Sequence, residues 1–170
     1  MKKIPLGTTD ITLSRMGLGT WAIGGGPAWN GDLDQQICID TILEAHRCGI
    51  NLIDTAPGYN FGNSEVIVGQ ALKKLPREQV VVETKCGIVW ERKGSLFNKV
   101  GDRQLYKNLS PESIREEVEA SLQRLGIDYI DIYMTHWQSV PPFFTPIAET
   151  VAVLNELKAE GKIRAIGAAN

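Results

Sequence analysis

Three short apolar runs in this chain each end on side chains that can carry a proton. "NLIDTAPGY" brings Asp54 and then Tyr59, "VVVETK" brings Lys85, and "YIDIYMTH" brings His136. Reducing an aldehyde or ketone needs hydride at carbon and a proton at oxygen. A tyrosine hydroxyl with an ordinary pKa of about 10 is a weak acid. A lysine ammonium within hydrogen-bond reach favours the phenolate and so eases release of that proton. An aspartate beside the lysine keeps it charged and oriented. A histidine can donate to the carbonyl oxygen and place it against Tyr59. No side chain can supply hydride, so the reducing equivalent has to come from a cofactor.

Each residue also has a plainer reading. Asp54 could be a cap at a strand end, Lys85 a surface lysine, Tyr59 a loop aromatic, and His136 a packing neighbour of Trp137. Their conjunction at successive strand ends favours one shared pocket. His46 takes the structural reading, because it falls in the last turn of a helix, where positive charge complements the helix dipole.

For these groups to meet, the runs must lie side by side as parallel strands with the polar groups at their carboxyl ends. That is the pattern of a (β/α) barrel's catalytic face. "KKIPLG" and "ITLSRM" flank Thr8-Thr9-Asp10 and read as a short β-hairpin before the main fold. "MGLGT" reads as a first buried strand ending near Gly19. A helix follows from Asp34 to Cys48, with Cys38, Ile42 and Ala45 on its apolar stripe and Gly49 ending it. Leu52 to Asp54 is the second strand. Asn63 or Ser64 can cap the second helix, with Glu65 in its first turn.

Val80 to Thr84 is a third strand, nearly all apolar, as expected of a strand covered on both faces. Gly87 to Leu109 reads as a long polar loop of the functional or mobile kind. Ser110-Pro111 starts a helix with Ile114, Val118, Leu122 and Leu125 on one face, ended by Gly126. Ile130 to Thr135 is strand four. Thr145-Pro146 opens a helix with the stripe Ile147, Val151, Leu154 and Leu157, and "KIRAIGAAN" is strand five. The expected architecture is therefore α/β and parallel, with five strands and four helices and no antiparallel strands after the hairpin. Four strand ends carrying polar groups favour a barrel wall over a doubly wound sheet, whose site gathers at one switch point.

The bulk properties exclude several classes. The 170 residues suit a single domain, residues 1–170, stopping after strand five. Apolar content of 43% and charged content of 22% are those of an ordinary globule. A net charge of -2 gives no footprint for nucleic acid. No apolar run is long enough to span a membrane, and the N-terminus does not resemble a signal peptide. Cys38, Cys48 and Cys86 form no spaced cluster, so they read as reduced thiols of a cytoplasmic protein, with no metal site. Cys86 borders the proposed site and is read as packing.

These stretches resemble the aldo-keto reductase family. The likeness rests on "GLGTW" (Gly17 to Trp21), "NLIDTAPGYNFGNSEVIVGQAL" (Asn51 to Leu72), "SLQRLGIDYIDIYMTH" (Ser121 to His136) and "LKAEGKIRAIGAAN" (Leu157 to Asn170). The resemblance implies a TIM-type (β/α)8 barrel, of which this chain would supply the first five strands. It also implies NADPH or NADH bound along the carboxyl face and a small carbonyl substrate, reduced without metal. Asp54, Tyr59, Lys85 and His136 match the family tetrad, with Tyr59 as proton donor. Gly19, Thr20, Trp21, Asp54 and Asn170 match positions that approach cofactor or substrate, Asn170 holding the nicotinamide carboxamide.

The family's usual Ser-Asn is Ala169-Asn170 here, which removes one hydrogen bond to that carboxamide. "GLGTWAIGGG" lacks the G-x-G-x-x-G spacing of a dinucleotide-binding turn. Gly24-Gly25-Gly26 reads as a flexible loop, with Trp21 and Trp29 as candidate walls of an apolar pocket. Two alternatives to a carbonyl reductase stand beside it. One is a non-catalytic binding subunit, as in the β-subunits of voltage-gated potassium channels. The other is an inactive half-barrel whose open first and fifth strands drive self-association.

Overall fold

The computed structural model describes residues 1–31 and 33–170. Its centre is a five-stranded parallel sheet of β3 (Gly17–Gly19), β4 (Leu52–Asp54), β5 (Val81–Cys86), β9 (Ile130–Thr135) and β10 (Ile163–Ala168). Spatial order follows chain order, β3-β4-β5-β9-β10, with no reversal. A doubly wound sheet would reverse its order once, so the arrangement is a continuous wall, a partial barrel.

Helices α1 (Gln35–Arg47), α2 (Asn63–Leu72), α3 (Pro111–Leu125) and α4 (Ile147–Ala159) pack in sequence against one another, α1 on α2, α2 on α3 and α3 on α4. Each buries its apolar stripe on the outward residues of the strands, Ile53, Val82 and Tyr133 among them. The inner face alternates with it. Val81, Ile132 and Ala165 point inward, and the opening hairpin, β1 (Lys3–Pro5) with β2 (Thr12–Ser14), lays Leu6, Ile11 and Leu13 over them. The hairpin thus closes the inner face beside the first residues of β4 and β5. The carboxyl ends are left for polar side chains.

Local chemistry explains most boundaries. Asp34 caps α1 by accepting from the Ile37 amide at 3.0 Å. Ser110 caps α3, Pro111 takes its first position, and Gly126 ends it in the left-handed region. Two buried carboxylates clamp the layers. Glu65 accepts from Thr84 Oγ1 and Arg124 Nε, both at 2.6 Å, joining α2, β5 and α3. Asp131 accepts from the Val82 amide at 2.9 Å and from Arg77 at 2.7 Å.

Four expectations need correction. The stretch 87–109 is not a structureless loop: β6 (Ile88–Val89), β7 (Ser95–Val100) and β8 (Arg103–Lys107) form a three-stranded antiparallel sheet. A two-residue Gly101-Asp102 turn joins β7 to β8. β3 is an exposed edge rather than a buried strand. Neither Asn63 nor Ser64 caps α2. Gly62 holds that position at φ 87, while Asn63 Nδ2 donates to the Gly24 carbonyl and the Ser64 hydroxyl to the Thr20 carbonyl, both at 2.9 Å.

On α4 the buried face is Thr150, Val153, Leu154 and Leu157, leaving Ile147 and Val151 exposed. Thr150 tolerates burial because its hydroxyl donates to the Leu109 carbonyl at 3.2 Å.

Candidate active site

Strand alternation decides which side chains reach the inner face. On β5, Lys85 shares a face with Val81 and Glu83, whereas Val82, Thr84 and Cys86 turn toward the helices. Asp54 leaves the end of β4, and His136 directly follows β9, its amide donating to the Cys86 carbonyl at 2.8 Å. The parallel register therefore sets Asp54, Lys85 and His136 on three adjacent strand ends.

Tyr59 arrives by a folded-back loop. The Gly62 amide donates to the Pro57 carbonyl at 2.7 Å, and Asn60 Nδ2 donates to the Gly24 carbonyl at 2.9 Å. Asn60 and Phe61 both take left-handed backbone angles, φ 51 and 52. That conformation is costly for a bulky residue. The Phe61 ring is held from the other side, with the Arg103 guanidinium 3.7 Å from its centroid. Gly24 permits the approach, since a Cβ there would lie 3.2 Å from the Tyr59 carbonyl oxygen. The antiparallel sheet and the glycine-rich loop thus hold the tyrosine between them.

The four residues meet. Lys85 Nζ donates to the Asp54 carboxylate, to the Thr55 carbonyl at 2.9 Å and to the Tyr59 hydroxyl at 3.2 Å. Lys85 is 5% exposed, so its charge depends on these partners. Burial works against that charge, but Asp54 and Tyr59 outweigh it and hold the lysine pKa above its ordinary value. The His136 ring stands edge-on to Tyr59 at 5.8 Å between centroids. Burial, reinforced by the Lys85 charge, pushes the His136 pKa down to about 4, so the imidazole is neutral near pH 7. Its Nδ1 is buried without a hydrogen-bond partner among the described residues.

A cavity of about 370 Å³ opens over the tyrosine and histidine, walled by Trp21, Phe61, Ile88, Phe97, Leu105 and Trp137. Trp21 stacks on Tyr59 at 6.1 Å, and Trp29 touches Trp21 edge-on at 5.3 Å without lining the cavity. Asn170 lies on the rim, with Nδ2 donating to the His136 carbonyl at 2.9 Å. Gly19 pairs with Asp54 in register.

Thr20 faces away from the cavity. It is fully buried, and its hydroxyl bonds the Asp54 carbonyl at 2.9 Å and Ser64 Oγ at 2.7 Å. Ser64 Oγ reaches Thr55 Oγ1 at 2.9 Å, completing a hydroxyl network under the Asp54 loop. Cys86 is buried on the helix side, where burial raises its thiol pKa well above the ordinary value, as expected of a packing residue.

Sequence reading missed three contributions. Phe97 and Leu105 belong to the unanticipated sheet, whose Gly-Asp turn between alternating flanks was the available signal. Ser64 was read only as a cap. Glu83, two residues before Lys85, was absorbed into a run read as apolar.

A parallel α/β wall bearing a tyrosine, lysine, aspartate and histidine at neighbouring strand ends describes a barrel-type site suited to proton delivery. Residues 15–170 match the model of the Aldo/keto reductase family, and the chain belongs to that family. It is 98% identical over 170 residues to the NADH-specific methylglyoxal reductase of Escherichia coli (strain K12), covering 100% of this chain and 52% of that protein. Among solved structures it resembles the glycerol dehydrogenase AKR11B4 from Gluconobacter oxydans, with 40% identity, a TM-score of 0.81, and coverage of 99% of this chain and 48% of the other. It also resembles the aldo-keto reductase AKR11C1 from Bacillus halodurans, with 36% identity, a TM-score of 0.82, and coverage of 99% and 50%. The chain spans about half the length of the curated relatives it matches.

Proposed function

We propose that this chain forms the catalytic part of an NADH-dependent reductase of small aldehydes and ketones, with Tyr59 as proton donor. The observation that carries the reading is the buried Lys85 ammonium joined at once to Asp54, the Thr55 carbonyl and the Tyr59 hydroxyl. The working enzyme is read as a (β/α)8 barrel in which further βα units close the gap between the β10 and β3 edges. The same edges are expected to make the isolated chain associate, which sedimentation would detect.

The residues fit a nicotinamide. The cavity is large and apolar, aromatic on several sides, with Tyr59, His136 and Asn170 among its polar lining residues. Gly19, Trp21, Asp54 and Asn170 would border it. When bound, the cofactor supplies the hydride that no side chain can. The name of the near-identical Escherichia coli relative supports NADH and a small dicarbonyl substrate of the methylglyoxal type.

The chain's own residues do the rest. Tyr59 gives its hydroxyl proton to the carbonyl oxygen, and the ammonium 3.2 Å away stabilises the negative charge that develops on the phenol oxygen. Asp54 keeps the ammonium charged and in place. His136, neutral, donates a hydrogen bond that orients the carbonyl. The aromatic walls exclude water. No group of three or more metal-ligating side chains occurs among the described residues. No helix there is long and apolar enough to cross a membrane. The three free thiols suit the cytoplasm.

Replacing Tyr59 with Phe in the complete protein tests this. Carbonyl reduction should fall by roughly 100-fold or more while NADH binding, followed by fluorescence titration, persists. Undiminished turnover would remove Tyr59 from the role.

A further inference from the structure

Glu83 is a buried-side carboxyl for which the reaction above has no use. It stands two residues before Lys85 on β5, so both side chains leave the inner face. Its register partner on β4 is Asp54. On its other flank, β9 presents Ile132 opposite Glu83 and Met134 opposite Lys85, neither of them charged. Val81, two residues earlier on the same strand, belongs to the apolar inner cluster. No cation pairs with Glu83 among the described residues, and the nearby ammonium is bound to Asp54, the Thr55 carbonyl and Tyr59. Two carboxyls therefore face one another across adjacent strands beside a single cation.

Two ionised carboxylates in such a place repel, and the arrangement is relieved when one keeps its proton and donates it to the other. Asp54 holds the salt bridge, so the proton falls to Glu83. We propose that Glu83 is a positioning residue for the carbonyl reduction inferred above: it stays protonated and donates to Asp54, so that the pair presents one negative charge to Lys85. Burial pushes the Glu83 carboxyl up first, the Asp54 charge adds to it, and Lys85 pulls the other way. The charged groups acting on Glu83 are Asp54 from β4 and Lys85 on its own strand, with Tyr59 and His136 beyond the ammonium. An ionised Glu83 would add a second negative charge and offset the field that Lys85 exerts on the Tyr59 oxygen. Carbonyl reduction would then slow.

The inference rests on the proposed function for its consequence, but not for its measurement. In the complete, cofactor-free protein, carbon-13 carboxyl NMR, assigned through Glu83→Gln, should show Glu83 still protonated at neutral pH, well above the ordinary glutamate value of about 4.3. In Asp54→Asn the midpoint should fall, because the like charge is gone and Lys85 remains. Glu83→Ala should lower kcat by roughly tenfold with little change in KM, and Glu83→Gln, which keeps a donor toward Asp54, should restore most of that loss. The alkaline limb of the Glu83→Gln profile should lack the Glu83 step. A Glu83 carboxyl already ionised at neutral pH overturns the proposal, as does a Glu83→Gln variant as slow as Glu83→Ala. If the wild-type protein reduces no carbonyl, the functional reading fails while the carboxyl titration still decides the protonation of Glu83.

Discussion

The Lys85 ammonium lies 3.2 Å from the Tyr59 hydroxyl and also 4.9 Å from the centre of the tyrosine ring, bound on its far side to Asp54. One cation thus bonds both the phenol oxygen and the carboxylate that holds the cation. Replacing Lys85 with Met removes the charge that steadies the phenol oxygen and leaves Asp54 without its partner. Turnover of an aldehyde should drop by roughly 100-fold or more, measured by NADH oxidation with circular dichroism as the check on folding. Lys85→Arg should recover little, because a planar guanidinium cannot occupy the three positions of a compact ammonium.

His136 leads to a pH prediction. Its pKa is depressed to about 4 from 6.5 by burial and then by Lys85. The folded protein therefore resists charging it, while the unfolded chain takes up that proton below about 6.5. Stability should fall as pH drops from 6.5 to about 4. Imidazole NMR of His136 should show no titration between roughly pH 5.5 and 8. A midpoint near 6.5 would contradict the neutral-donor role.

Glu117 carries the opposite sign. It is sealed under α3, accepting from the Gly87 amide at 2.8 Å and Ser113 Oγ at 3.1 Å, and burial lifts its pKa to about 8. A carboxyl raised in the folded state costs stability as pH climbs from 4.5 to about 8. Glu117→Gln keeps an acceptor for Gly87 and cannot ionise. Its Tm should exceed the parent's by a few degrees at about pH 9 and match it at about pH 4, as calorimetry would show.

Gly69 sits within α2, where Gly→Ala ordinarily stabilises by up to about 1 kcal/mol. Here a Cβ would meet the carbonyl oxygens of Arg124 and Leu125 at 2.6 and 2.7 Å. Gly69→Ala should instead destabilise by about 1–3 kcal/mol, read from urea unfolding. A stabilised variant would mean that α2 and α3 can part at no cost.

The tetrad was legible because its members close apolar runs, and the register of parallel strands turns equal depth in sequence into proximity in space. Helix α3 was legible from Ser110, Pro111 and Gly126, which act locally. The α4 stripe was misjudged because that helix is apolar on more than one side. Only the site of the Leu109 carbonyl, remote in sequence, explains why Thr150 faces inward. Thr20 matched a family position, yet its direction depends on Ser64 on another element. Glu83 was hidden by strand alternation: a lone charge in an apolar run reads as noise until its neighbour Asp54 is located.

Because spatial order repeats chain order from β3 to β10, each strand of this wall after β3 finds a partner among segments already synthesised. The corner where Asp54, Tyr59, Lys85 and His136 meet can accordingly assemble on the ribosome as the polypeptide emerges.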